Sequence, residues 1–375
     1  MERSTYALEE TGNIISPALI YYKDIIIGNT KRIIEMAGGS EWLWPHVKSH
    51  KTAEMIHMQI KMGITRFKCA TIAEAEMVAE AGGAHIILAY PLIGPNVSRF
   101  LKLAKAYPQV IFYAIGDDFD QLSFLAGQAC QMGISMNVLV DVNVGMNRTG
   151  VPLDLLESFY ERCSVLKGIN VKGMHCYDGH CKDPDFKRRC EMAEESDRKV
   201  LQIQQSLKQK GIESEILVMG GTPSFPCRAV GLRKADFFLS PGTLFIGDWD
   251  YYSKLPDLSF TPGAALFSRV VSHCGSVSGN TFTLDLGHKG IAADPAGVRG
   301  IIVGLEQATP VAQSEEHWVF SLPENMDLPP IGTGCYVIPT HICPTSALYP
   351  EILVAQAGKI TERWQVNARN RFINY

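Results

Sequence analysis

The chain lacks a basic N-terminus, a long apolar run and an excess of charge of either sign, and each absence removes a class of function. The opening MERSTYALEETGN is acidic and polar, where a secretory signal needs basic residues followed by an apolar stretch. No segment approaches the roughly 18 uninterrupted apolar residues of a membrane-spanning helix. A soluble, cytoplasmic protein is therefore expected. With 35 Lys and Arg against 39 Asp and Glu, a net charge of -4 and a pI near 6.2, the chain exerts no long-range attraction on polyanions. Nucleic acid and anionic membrane are not expected partners. The ten cysteines form no C-x-x-C pair and no dense framework of the kind that staples small secreted domains, so most read as buried, reduced thiols. Internal repeats and low-complexity linkers are also missing.

What is present is apolar content: 46% of 375 residues, more than one compact core of ordinary size uses, so a large barrel-type domain plus a smaller one is expected. From Ile20 to about Gly247, short β-branched or apolar runs alternate with longer amphipathic segments, as parallel strands and their covering helices do. Strands are expected at 43–48, 66–70, 85–90, 110–115, 136–142, 170–176, 215–219 and 235–239. Helices are expected at 52–63, 72–82, 118–133, 152–165 and 184–211, several opening on Thr, Asp or Pro. Eight β-then-α units give an α/β fold of the (β/α)8 TIM barrel type, although an open doubly wound sheet produces a similar string. After Pro256 helical periodicity gives way to alternating strands between Gly, Pro and Asn turns, which predicts a C-terminal all-β domain. The expected division is a barrel over 18–250 and a β domain over 251–375, joined by 1–17.

In a barrel of this type the chemistry sits where strands end. Strand one ends in Pro45-His46-Val47-Lys48-Ser49-His50-Lys51, strand five in Asn143-Val144-Gly145-Met146-Asn147-Arg148 and strand six in Tyr177-Asp178-Gly179-His180. Strand seven ends in Gly220-Gly221-Thr222-Pro223-Ser224 and strand eight in Pro241-Gly242-Thr243. The last two loops are small, hydroxylated and Gly-rich, which lets Gly221, Thr222, Gly242 and Thr243 approach a phosphate closely. Alone, a Gly-Gly-Thr-Pro turn is only a turn; its weight comes from its partner in the next loop. A lysine buried at a strand end is costly unless paired or neutral, and a desolvated lysine of lowered pKa is the nucleophile that forms Schiff bases. Lys48 fits that description better than Lys51, which leads into the next helix. His180 reads either as a base or as a hydrogen-bonded loop histidine; His46 and His50 flank the lysine, and His57, His85 and His317 read as structural.

Four segments in order, Pro-His-Val-Lys-Ser-His-Lys-Thr at 45–52, Asn-Val-Gly-Met-Asn-Arg at 143–148, Gly-Gly-Thr-Pro-Ser at 220–224 and His-Ile-Cys-Pro-Thr at 341–345, resemble the D-threonine aldolase and D-serine dehydratase family over nearly the whole chain. The resemblance implies an alanine racemase-like fold and a pyridoxal 5'-phosphate (PLP) cofactor bonded to Lys48. It further implies that Arg148 contacts the cofactor's phenolic oxygen and that Tyr177 faces the pyridine nitrogen. A neutral tyrosine there leaves the ring a weaker electron sink than an aspartate would. His341 and Cys343 match the family's pair of ligands for a divalent metal. One imidazole and one thiolate favour zinc, with manganese the other candidate, and in an extended segment their i, i+2 spacing puts both on one face. The chain departs from the pattern at Trp44, where an arginine often precedes Pro-His. Gly-His-Lys-Gly at 287–290 resembles a Gly-x-Lys segment of the family, to which chemistry assigns no role.

The resemblance thus implies a lyase acting on a small D-amino acid, and a homodimer. Removing the β-hydroxyl proton of a D-3-hydroxy-amino acid breaks Cα–Cβ to give glycine and an aldehyde. Removing the α-proton expels hydroxide and gives a 2-oxo acid and ammonia. The general texture favours the aldolase over the D-serine dehydratase. A racemase requires a second acid or base from the β domain, for which Tyr336 and Tyr349 are available. A non-catalytic PLP-binding protein of this barrel type would lack the β domain.

Overall fold

The computed structural model describes residues 2–233, 235–273 and 280–375; Cys274 lies outside the described residues. The chain divides into two compact units. One comprises Lys31–Lys48, Thr52–Gly242 and Asn370–Tyr375, the other Met1–Thr30, Ser49–Lys51 and Thr243–Arg369. Among the described residues no helix is long and apolar enough to cross a membrane.

The first unit is a ring of parallel strands in sequence order: Arg66–Cys69, His85–Leu88, Ile111–Gly116, Met136–Asn143, Ile169–Cys176, Ile216–Met219 and Phe238–Leu239. These runs are buried and rich in Val, Ile, Leu and Phe because a parallel sheet covered by helices has no wet face. The segment expected as strand one, 43–48, is not a regular strand. Leu43 and His46 make single parallel bridges to Leu239 and Lys68, and Val47–Ser49 is a 3-10 turn. Pro45 has no N–H to give to a ladder and ends the pairing. The segment still fills the eighth position: Trp44 N donates to Leu239 O at 2.8 Å and Lys68 N to Pro45 O at 2.8 Å, so both edges are joined and the barrel closes.

Three of the covering helices begin where a side chain satisfies a free N–H group. Thr71 accepts from Glu74 N ahead of Ile72–Glu80, Asp118 from Gln121 N ahead of Phe119–Gln131, and Asp185 from Arg188 N ahead of Phe186–Gln209. The barrel interior is plugged by Trp44, Ile87, Tyr113, Ile115, Leu139 and Val218. Trp44, the departure from the family pattern, lies edge-on to Tyr113 at 5.5 Å and Phe238 at 5.2 Å and donates its indole N–H to Phe67 O. Each such ring pair adds about 0.5–1.5 kcal/mol beyond area burial, so the tryptophan is accounted for by packing.

The second unit is built on a nine-stranded, mostly antiparallel sheet. Its strand Ala18–Tyr22 pairs antiparallel with Ala264–Ser272 and parallel with Glu351–Gln356, with Ile20 opposite Ala265 and Leu353. Four of its five residues are buried, which explains why the run reads like a barrel strand in sequence. The unit is not purely β: Ile342–Leu348 is helical. His341 is therefore extended, at φ -131 and ψ 104, as N-cap, while Cys343 lies in the first helical turn. The extended segment expected there is cut short because Thr345 and Ser346 return hydroxyl bonds to the carbonyls of His341 and Ile342.

Candidate active site

Lys48 sits in the 3-10 turn after the bridge at His46, half-buried. Its N–H donates to His46 Nδ1 at 3.3 Å, so the histidine before it orients the turn. Arg148 and Tyr177 come together: the guanidinium lies 5.0 Å from the centre of the tyrosine ring. Arg148 is positioned by a loop in which Asn143 Oδ1 accepts from both Gly145 N and Asn147 N. His180 belongs to the same mouth. Gly145, at φ 118, is where a Cβ would come within 2.6 Å of His180 Nε2, so only glycine leaves room for that imidazole. His180 Nδ1 is buried with no hydrogen-bond partner among the described residues.

The loops after strands seven and eight also meet, with Gly242 N donating to Thr222 Oγ1 at 3.2 Å. A Cβ at Gly221 would lie 2.8 Å from the Tyr177 ring, which again permits no larger residue. Beneath this loop lies an ionic network that sequence reading missed. Arg228 donates to Asp178 Oδ2 and to Ser224 Oγ, and on its other side to both oxygens of Asp197, all within 2.7–3.0 Å. Ser224 Oγ completes it by donating to Asp178 Oδ1 at 2.7 Å. Every member is buried, and both oxygens of Asp178 are consumed.

Lys68 is the other residue missed. It is 2% exposed inside the barrel, with Nζ 3.5 Å from His175 Nε2 and 5.6 Å from the centre of the Tyr177 ring. His175 Nδ1 in turn lies 2.7 Å from Asp141 Oδ1, its register partner on the neighbouring strand, and Thr149 donates to Asp141 Oδ2. Burial, and then the charge of Lys48, bring the Lys68 amine down to about 7. Burial likewise holds His175 below its ordinary value. Asp141 stays below the usual carboxylate range: burial pushes it up, but the bond and charge of His175, the Thr149 hydroxyl and the charge of Arg148 together outweigh that. A sequence signal existed, a lysine between Phe67 and Cys69 in an apolar strand.

In the second unit the side chains of His341 and Cys343 are hydrogen-bonded to each other. Burial alone would raise the thiol, but His341 and the hydroxyls of Ser49 and Thr243, each 3.3 Å from Sγ, bring it below its ordinary value. His341 is raised to about 9, because Cys343, Asp248 and Asp294 outweigh its burial. Its Nδ1 lies 2.9 Å from Asp294 Oδ2, the arrangement by which carboxylates orient metal-bound histidines. Among the described residues no cluster of three or more His, Cys, Asp or Glu is suited to a metal; a metal held by this pair would take its remaining ligands from water and substrate. Thr243, expected at a phosphate, also contacts Cys343 through its hydroxyl. Lys289, in the 287–290 segment, pairs with Glu315 and Glu316 on the surface.

Comparison with known proteins gives two family matches: "Alanine racemase, N-terminal domain" over residues 23–248 and "Putative serine dehydratase domain" over 264–355. The chain is 26% identical over 341 residues to a D-threonine aldolase of Arthrobacter sp, covering 87% of this chain and 85% of that one. It superposes on the crystal structure of D-threonine aldolase from Filomicrobium marinum with a TM-score of 0.85 at 26% identity, covering 95% of each chain. It shares its fold with D-threo-3-hydroxyaspartate dehydratase from Delftia sp. HT23, at a TM-score of 0.83 and 18% identity over 94% of this chain and 97% of that one.

Proposed function

The chain belongs to the alanine racemase N-terminal domain family, and from that premise we propose that it is a PLP-dependent lyase that cleaves D-3-hydroxy-amino acids to glycine and an aldehyde with the help of a divalent metal. Bound PLP supplies an electron sink for the substrate's Cα. The residues of the barrel mouth fit that group: a half-buried amine at Lys48, a ring face at Tyr177, a cation at Arg148 for the phenolic oxygen, and a small-residue loop at Gly221, Thr222 and Gly242 for the phosphate, with Thr243 completing it. His341 and Cys343 would hold the metal, zinc or manganese, and the chemistry it would supply is that of a Lewis acid toward the β-hydroxyl. His180, at the same mouth beside Gly145, is the group assigned to accept the hydroxyl proton.

The observation that carries this reading is the His341–Cys343 pair, an imidazole backed by a carboxylate beside a thiol of lowered pKa. A racemase has no use for it. Racemisation would also need a tyrosine hydroxyl proton to give, and that of Tyr349 is donated to Gly290 O. One alternative has specific support: the serine dehydratase match spans both residues of the pair, which favours elimination to a 2-oxo acid and ammonia. We further propose a homodimer, testable by light scattering.

The deciding experiment is product analysis of protein loaded with PLP and either zinc or manganese, incubated with D-threonine and with D-serine, before and after EDTA. Glycine and acetaldehyde that vanish on chelation are expected, and Lys48→Ala should lose both product and cofactor absorbance. Pyruvate or 2-oxobutyrate with ammonia would establish the dehydratase instead. Turnover of neither substrate would overturn both.

A further inference from the structure

Lys68 has no part in the reaction as written above, yet an isolated buried ammonium is among the costliest groups a fold can carry. Its surroundings are built to accommodate it. Asp141 and His175 stand opposite each other on neighbouring strands, joined at 2.7 Å, and the imidazole's far nitrogen points at Lys68 Nζ across 3.5 Å. The charged groups that bear on the amine are Lys48 and Arg148, which repel its proton, and Asp141 and Asp178, which attract it. Asp178 is already neutralised by Arg228, so Asp141, through His175, is the effective counter-charge.

We propose that Lys68, His175 and Asp141 form a proton-exchange unit that sets the charge beneath the Tyr177 ring, making Lys68 a positioning residue of the site. One N–H bond of the Lys68 ammonium breaks, its proton goes to the lone pair of His175 Nε2, and the imidazolium so formed is balanced by the Asp141 carboxylate. The net charge of the unit is unchanged by that internal step and falls by one when the proton leaves for solvent. Asp141 fixes the imidazole tautomer, the role an aspartate plays for histidine in the hydrolase triads. The proposal deepens the reading of the barrel mouth as a PLP site and rests on it.

The test is the absorbance of the full-length PLP-bound protein titrated across neutral pH, with Lys48→Ala as the control that identifies cofactor bound at Lys48. The wild type should show a spectral transition with a midpoint near the Lys68 value of about 7. Lys68→Met should hold the high-pH spectrum throughout, because the charge is never present. Lys68→Arg should hold the low-pH spectrum, because it is never lost. His175→Gln should move the midpoint by about one unit, the scale of direct coupling between adjacent sites. A buried lysine with only a structural role would leave the transition intact in the Arg variant, and that result overturns the proposal. If Lys68→Met fails to fold, the Arg arm decides alone. A transition absent from the wild type with PLP bound refutes this unit while leaving the PLP reading standing. Failure of the wild type to bind PLP at Lys48 overturns both.

Discussion

Replacing Arg228 with Met should destabilise the barrel unit severely, and the reason lies in what the guanidinium leaves behind. Asp178 and Asp197 are 1% and 5% exposed, and each owes its stability in that position to Arg228 at 2.7 Å. Methionine of similar reach fills the volume, so little cavity term arises, but two buried carboxylates lose their cation. Removing one member of a buried ion pair costs about 3–5 kcal/mol, which corresponds to a fall in melting temperature of about 6–20 °C for a unit of this size. The pH dependence gives the cause. Burial already holds the Asp197 carboxyl above its ordinary value with Arg228 present, and without the guanidinium it rises further. A carboxyl whose folded-state pKa lies above its unfolded value contributes stability that is present at low pH and lost as pH rises through the folded pKa. The deficit of the variant relative to wild type must therefore shrink on going from mildly alkaline to mildly acid pH. Urea denaturation of both proteins at the two conditions measures it. A deficit under about 1 kcal/mol, or one that grows on acidification, would refute the reasoning; replacing Asp178 and Asp197 by Asn together with Arg228→Met should recover most of the loss.

Two further outcomes follow from single contacts. Asp294→Ala removes the carboxylate behind His341 Nδ1 and should weaken divalent-metal binding about 10–100-fold, read by metal titration at unchanged PLP absorbance. Gly145→Ala puts a Cβ 2.6 Å from His180 Nε2 at a backbone φ of 118; a stability loss of about 1–3 kcal/mol, with kcat falling more than KM changes, is expected from thermal melts and steady-state kinetics.

The parts of this molecule that could be read from sequence are those that depend on local order along the chain. Strand ends, small loops and the sequence of Lys48, Arg148, Tyr177 and Gly221 follow from one periodicity, since a barrel puts every strand's C-terminal end at one mouth. The exception, strand one, fails for a local reason too, the proline at 45. What sequence could not supply are partnerships between distant residues. Nothing local says that Arg228 answers Asp178 and Asp197, or that Asp141 faces His175 across two strands whose register is set by pairing. Lys68 was overlooked because a single charge in an apolar strand reads as an outward-pointing residue; in a covered parallel barrel both faces are buried. The contact of the Thr243 hydroxyl with Cys343, a hundred residues away, is another such partnership.

These partnerships bear on why a metal belongs in the proposed reaction. A carboxylate beside a pyridine nitrogen would protonate it and strengthen the ring as an electron sink. Two carboxylates stand near Tyr177, and neither is available. Asp178 gives one oxygen to Arg228 and the other to Ser224, and Asp141 gives one to His175 and the other to Thr149. On the proposed assignment the ring nitrogen would face the Tyr177 side chain, with Arg148 and the Lys68 amine rather than an available acid beside it. Withdrawal of electrons through the ring alone is then weak. Activation at the substrate's other end, the β-hydroxyl, would call for a Lewis acid, and His341 and Cys343 are side chains with the chemistry to hold one.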